Sequence, residues 1–209
     1  MYVCQEQCYI GRMARRTIEQ ANETRENLIA AGISLFATDG YDATSAQAIA
    51  DKAHVTRGAL YHHFEGGKKG LFANAVERMF QTQQAVILEA AGREQDAWSG
   101  ICAGCQAFLR FSLSRDYQRI VMLDAPSVLG VDEWHKLDRL YTTKELQEAL
   151  QGILQEENMV DTEALAEALS GSMNQLSLWA AANQCIDRAE NTLLRMLNEM
   201  IKHPSVGSE

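Results

Sequence analysis

Apolar residues recur along this chain at intervals of three and four, the spacing of one helix face, while strict every-second alternation is scarce. The pattern predicts an all-α protein. A first helix over residues 22–38 carries Leu28, Ile29, Ile33, Leu35 and Phe36 as its buried stripe, and Asp39-Gly40 reads as a left-handed stop. Longer helices are predicted over 71–90, 95–114, 131–157, 161–183 and 187–202. The apolar stretch 116–130 holds Pro126, which removes a backbone donor, so a break is expected there.

Between the first helix and residue 71 lies a shorter motif. Thr44 is suited to cap a helix, and Gln47 three residues later completes a capping box ahead of Ile49, Ala50 and Ala53. His54-Val55 makes a turn. Thr56 caps a second short helix whose Ala59 and Leu60 point back, leaving Arg57, Tyr61 and His63 outward. Two compact helices on a tight turn are the helix-turn-helix, which lays its second helix in the major groove of DNA.

With TRENLIAAGISLFATDGYDATS upstream and KKGLF downstream, this stretch resembles the N-terminal domain of TetR-family transcriptional regulators over about residues 24–72. The ordered series GY-x-x-TS, IA-x-x-A-x-VTRGALYHHF and K-x-x-LF carries the resemblance. A looser match, Asp124-x-Pro126-x-Val128-Leu129-Gly130 before a Trp-containing helix, extends it into the second half. Two departures stand out. His54 occupies a turn position where the family has glycine, and histidine tolerates positive φ at some strain. The loop Glu65-Gly66-Gly67 is one residue longer than the commonest pattern.

The resemblance implies three regions: a flexible N-terminal extension at 1–21, a DNA-binding domain at 22–70, and a helical ligand-binding and dimerisation domain at 71–209. It implies a homodimeric repressor, paired through the last two helices, that leaves double-stranded operator DNA when a small-molecule effector binds. At the DNA surface, Arg57 is placed to read guanine. Gly58 and Ala59 permit close approach to the groove. Tyr61, His63, Lys68, Thr44 and Gln47 match family contact positions, and Thr56 and His62 complete the surface. For some of these the alternatives stay open: Gln47 engaged in a capping box is less free to read adenine, Tyr61 is a half-buried aromatic, and His62 a plain surface residue.

Charge adds one point. Residues 13–70 carry seven basic and seven acidic side chains and residues 71–209 eleven and twenty, so the net charge of −9 belongs to the second part. A neutral reading head has a weak electrostatic footprint and leans on directed contacts. Five cysteines without framework spacing, no spanning apolar run and no secretory leader lead to a cytoplasmic expectation, with no membrane partner.

Cys4 and Cys8 lack nearby ligand partners, so no metal or cofactor is expected. Arg15 and Arg16 suit a basic arm or a solvated terminus, and Met13 resembles a natural start. Cys102-x-x-Cys105 is either a pair of buried thiols or a thiol sensor. With no nucleophile elbow or phosphate-cradling loop, an enzyme is not expected. Pocket candidates are Trp98, Cys102, Phe108, Phe111, Tyr117, Met122, Tyr141, Met173 and Trp179, a mixed aromatic and apolar set that suits an apolar effector.

Overall fold

A computed structural model of the chain describes residues 3–154 and 161–202, with side chains at 19–154 and 161–201. Among the described residues every regular element is helical. Cys4, Cys8, Arg15 and Arg16 lie outside the described side chains. The chain divides into two compact units, Met1–Ala75 and Val76–Glu209.

In the first unit, α1 runs Val3–Asp39, so the expected start near residue 22 is corrected. No proline interrupts residues 3–21, and Gly11 alone does not stop a helix. Leu28, Ile29, Ala31, Phe36 and Ala37 are buried, whereas Ile33 and Leu35 are half-buried. Gly40, at φ 83°, ends the helix and donates its N–H to Phe36 O at 2.9 Å. Behind it Phe36, Tyr41 and Phe72 form an aromatic cluster, with Phe72 5.0 Å from Phe36 and 4.8 Å from Tyr41, both edge-on. Helices α2, Ala46–Lys52, and α3, Arg57–His63, pack on α1 through Ile49, Ala50 and Leu60.

The cap of α2 differs from the expected capping box by one residue. Ser45 is the N-cap, and its Oγ accepts from Ala48 N at 3.0 Å. Thr44 is buried instead, donating its hydroxyl to Gly40 O at 2.7 Å. Two adjacent hydroxyl residues compete for one cap, and the one that reaches the preceding helix end is drawn inward. The turn residue His54 stands at φ 57°, the left-handed backbone that its place in the motif predicts. We therefore expect His54→Gly to stabilise the full chain by roughly 1 kcal/mol, read as a higher urea midpoint, because a Cβ in left-handed backbone costs about that much.

Helix α4 spans Lys68–Gly92; residues 68–75 belong to the first unit and 76–92 to the second. Its start precedes the expected residue 71 because Gly67 O already accepts from Leu71 N at 2.9 Å.

In the second unit, α5 is Ala97–Ser112, capped by Asp96 on Ser99 N, and α6 is Arg115–Tyr117. The break expected at Pro126 does not occur. Residues Gln118–Asp124 widen into a π-helical stretch, and α7, Ala125–Leu129, follows without interruption. Ala125 N–H bonds to Ile120 O, five residues back. Continued at that gauge, the next donor would be Pro126, which has none, serving Val121 O. Trp134 Nε1 donates to Val121 O instead, at 2.8 Å, so the orphaned carbonyl is satisfied from another helix.

The helix predicted over 131–157 runs unbroken over 131–153 as α8, Val131–Asp138, a second π stretch at Arg139–Thr143, and α9, Lys144–Ile153, while 155–157 lie outside the described residues. Helix α10 is Thr162–Asn183, ending at left-handed Gln184, and α11 is Ile186–Leu197, followed by a π turn at Asn198–Lys202. Helices α5, α9, α10 and α11 share one core that includes Phe108, Leu109, Leu150, Leu169, Met173 and Leu193.

Candidate nucleic-acid interface and interior pocket

Helix α3 presents the first candidate site. Thr56 Oγ1 accepts from Ala59 N at 3.2 Å, which fixes where the helix starts. Leu60 is fully buried and Phe64 nearly so, anchoring one face. On the other, Tyr61 is 51% exposed, a large aromatic ring held in water. Arg57 Nη2 donates to Tyr61 OH at 3.2 Å, and its guanidinium lies 5.4 Å from the ring centroid. Gly58 is exposed and Ala59 half-buried, so the backbone beside Arg57 is open to close approach.

The remaining expected contacts divide. Gln47 is exposed and donates to Asp51 Oδ1 at 2.7 Å, so it is not occupied by the cap. His62 is exposed, and His63 is half-buried with its pKa lowered, first by partial desolvation and then by the charges of His62 and Arg25. Lys68 turns toward its own unit: Nζ donates to Tyr41 O at 2.9 Å and sits 4.0 Å from that ring's centroid. Thr44 has little surface, being 3% exposed.

Arg25 is a residue the sequence pattern did not single out. It donates to Asn74 Oδ1, and its guanidinium lies 5.3 Å from the Phe64 ring, tying α1 to the end of α3 and the start of α4. Its position on the polar side of a helix carries no signal of that role.

The second candidate site is a cavity of about 610 Å³ in the second unit. Three of the expected residues line it, Phe108, Tyr141 and Met173. Trp98, Cys102, Phe111, Tyr117, Met122 and Trp179 do not. Tyr117 is fully buried and donates its hydroxyl to Gln83 Oε1 at 2.7 Å, while Gln83 Nε2 donates to Ser112 Oγ at 2.8 Å. This closed chain belongs to the core. Trp179 stacks under Arg188, whose guanidinium is 5.1 Å from the ring.

Small residues make the room. Gly100 and Gly104, one turn apart on α5, line the cavity with Ala91 and Gly92, and a Cβ at Gly104 would already touch Ile87 at 3.4 Å. Ile101 and Leu146, which the sequence assigned to no site, and Cys105, offered there only as a buried thiol or a sensor, supply apolar wall. Burial pushes the Cys105 thiol up to about 12, with Cys102 nearby adding to the rise. At neutral pH it is a thiol rather than a thiolate, which favours the packing role over the sensor.

Two family descriptions match the chain: "Bacterial regulatory proteins, tetR family" over residues 28–75 and "Tetracyclin repressor-like, C-terminal domain" over residues 98–203. A TetR-family transcriptional regulator from Pectobacterium atrosepticum is similar in structure, with a TM-score of 0.72 at 31% identity, covering 88% of this chain and 96% of that one. The transposon Tn10 TetC protein of Escherichia coli is 25% identical over 168 residues, 78% of this chain and 82% of its own length. The transcriptional regulator AcrR of Shigella flexneri is 43% identical over 65 residues, 31% of this chain and 30% of its own. Helix α3 falls within the first matched range and most of the second unit within the second, a solved relative matches over nearly its whole length, and the chain belongs to the TetR family of transcriptional regulators.

Proposed function

We propose that this regulator is a homodimeric repressor that grips double-stranded operator DNA through α2 and α3 and releases it when a small, largely apolar effector fills the cavity of the second unit. The observation that carries the DNA reading is the Arg57–Tyr61 pair, a guanidinium and a phenol joined on the exposed face of a helix whose opposite face is buried. Arg57 reads a guanine edge, Gly58 and Ala59 let the backbone approach, and Tyr61, His62 and His63 meet phosphate or base. Gln47 and Thr56 add contacts from the helix starts. Lys68 reaches phosphate with the donors that its Tyr41 bond leaves over, and Thr44 acts indirectly by holding the turn before α2.

Pairing through α10 and α11 supplies the second reading head, since a two-fold operator presents half-sites roughly 34–36 Å apart. The cavity supplies the control. An effector shifts the population only by binding the released conformer more tightly than the DNA-bound one. A cytoplasmic location accompanies this role.

The test begins by selecting an operator from random duplex DNA with the full chain, then measures affinity and sedimentation. We expect a two-fold symmetric site bound by two protomers. Arg57→Ala and Tyr61→Ala should each weaken binding by about 1–3 kcal/mol, with melting temperatures close to that of the parent. Parent-like affinity in both variants, or a single protomer on the selected site, contradicts the proposal.

A further inference from the structure

One face of α4 is tied to the cavity wall by hydrogen bonds. Tyr141 and Glu145 both line the cavity, four residues apart on the helical run that leads from the second π stretch into α9. Tyr141 OH donates to Glu77 Oε1 at 2.7 Å and accepts from Gln81 Nε2 at 3.2 Å, and Gln84 Nε2 donates to Glu145 Oε1 at 2.9 Å. The Tyr141 ring also stacks on Phe80, with centroids 6.3 Å apart and planes inclined by 16°. Residues 77, 80, 81 and 84 fall at the three- and four-residue spacing of a single helix face, and Ile87, Leu88 and Ala91 carry that face on into the cavity wall.

Two of these bonds engage a carboxylate, the stronger kind. Tyr141 and Glu145 are only half-buried, so water would satisfy their polar ends and the bonds add modestly to stability. What they fix is position. A displacement of either side chain from the wall pulls on α4, whose residues 68–75 belong to the unit that carries α3.

We propose that Tyr141 and Glu145 form a latch that transmits occupation of the cavity to α4, because an entering effector displaces them from Glu77, Gln81 and Gln84. The latched conformer is then the one that holds operator, and the unlatched conformer the one that holds effector. This rests on the reading of the chain as a repressor released through that cavity, and deepens it by naming the side chains through which release is read. Coupling between two sites is reciprocal, so weakening the latch costs operator affinity and gains effector affinity.

That opposition of sign is the test. Affinity for the selected operator and for decanol, titrated calorimetrically, is measured on the full chain and two variants. Tyr141→Phe keeps the ring and its stacking on Phe80 but loses both bonds of the hydroxyl, and Gln84→Leu releases Glu145. Each should bind operator about fivefold more weakly and decanol about fivefold more tightly, with melting temperatures close to that of the parent. Adding Glu77→Leu to Tyr141→Phe should weaken operator binding no further, since the bond between them is already lost. A variant that has merely lost stability weakens both affinities or neither. Parent-like operator affinity in both variants, or operator and decanol affinities that move in the same direction, overturns the latch and leaves the operator and effector readings standing. A parent chain that binds no operator, or no decanol, overturns those readings instead.

Discussion

Gly70→Ala is expected to destabilise the first unit by roughly 3 kcal/mol and to weaken operator binding, although residue 70 itself faces no DNA. Gly70 lies in the first turn of α4, and a Cβ built there would run into the carbonyl oxygen of Glu65, with the Glu65 carbonyl carbon 3.0 Å away. Those are backbone atoms, which no rotamer change can move. Glu65 leads into Gly66 and Gly67, at φ 77° and 59°, and a Cβ on Gly67 would come within 2.5 Å of the Tyr61 ring. The loop therefore has no slack: displacing Glu65 shifts Gly67 and, through it, the aromatic ring proposed to meet DNA. The three tryptophans stand at 98, 134 and 179, all in the second unit, so their fluorescence reports on that unit alone. Amide exchange in α1–α3 is the measurement that sees the first. We expect faster exchange there with the tryptophan transition unmoved, and Lys69→Ala, at an exposed neighbour, to behave as the parent. Parent-like exchange in Gly70→Ala would show that the loop yields without strain.

The first unit was legible because its signals are local. The Thr56 cap, the left-handed His54 turn, the Gly40 stop and the inward Leu60 against outward Tyr61 are each set within a few residues of sequence. Where local signals compete, the sequence misplaces an element slightly: Thr44 and Ser45 both suit a cap, and only the reach of the Thr44 hydroxyl to Gly40 O decides between them. Long-range compensation was not legible. Pro126 reads as a break until Trp134 is seen to take the carbonyl that the proline cannot serve, a contact thirteen residues long in sequence. The cavity was hardest, because a scan for large apolar side chains finds what fills space rather than what leaves it. Trp98, Phe111, Tyr117 and Met122 pack elsewhere, while Gly100, Gly104 and Ala91 shape the void by what they lack. Phe108, Tyr141 and Met173 were found because they both fill the core or its edge and face the cavity.

That double position of Phe108 gives a second large effect. Phe108 is 1% exposed and belongs to the core shared by α5, α9, α10 and α11, yet it lines the cavity. Phe108→Ala should cost about 3–4 kcal/mol, near the lower end for a buried ring because part of the vacated space joins an existing void rather than closing a sealed core. For a unit of this size that lowers the melting temperature by roughly 10 °C, read from tryptophan fluorescence. Leu109→Ala is the matched comparison. Leu109 is fully buried in the same core and does not line the cavity, so it should lose about 3 kcal/mol by the same mechanism. The two variants part company toward a ligand. Decanol binding should weaken about tenfold in Phe108→Ala, because one ring's worth of apolar wall is gone, and should hold in Leu109→Ala. Stabilisation by a saturating ligand follows its affinity for the native state, so the same contrast should appear as a smaller ligand-induced rise in melting temperature for Phe108→Ala. Equal ligand effects in two variants of equal stability would mean that the cavity wall does not touch the ligand, and the site would have to be sought elsewhere in the second unit.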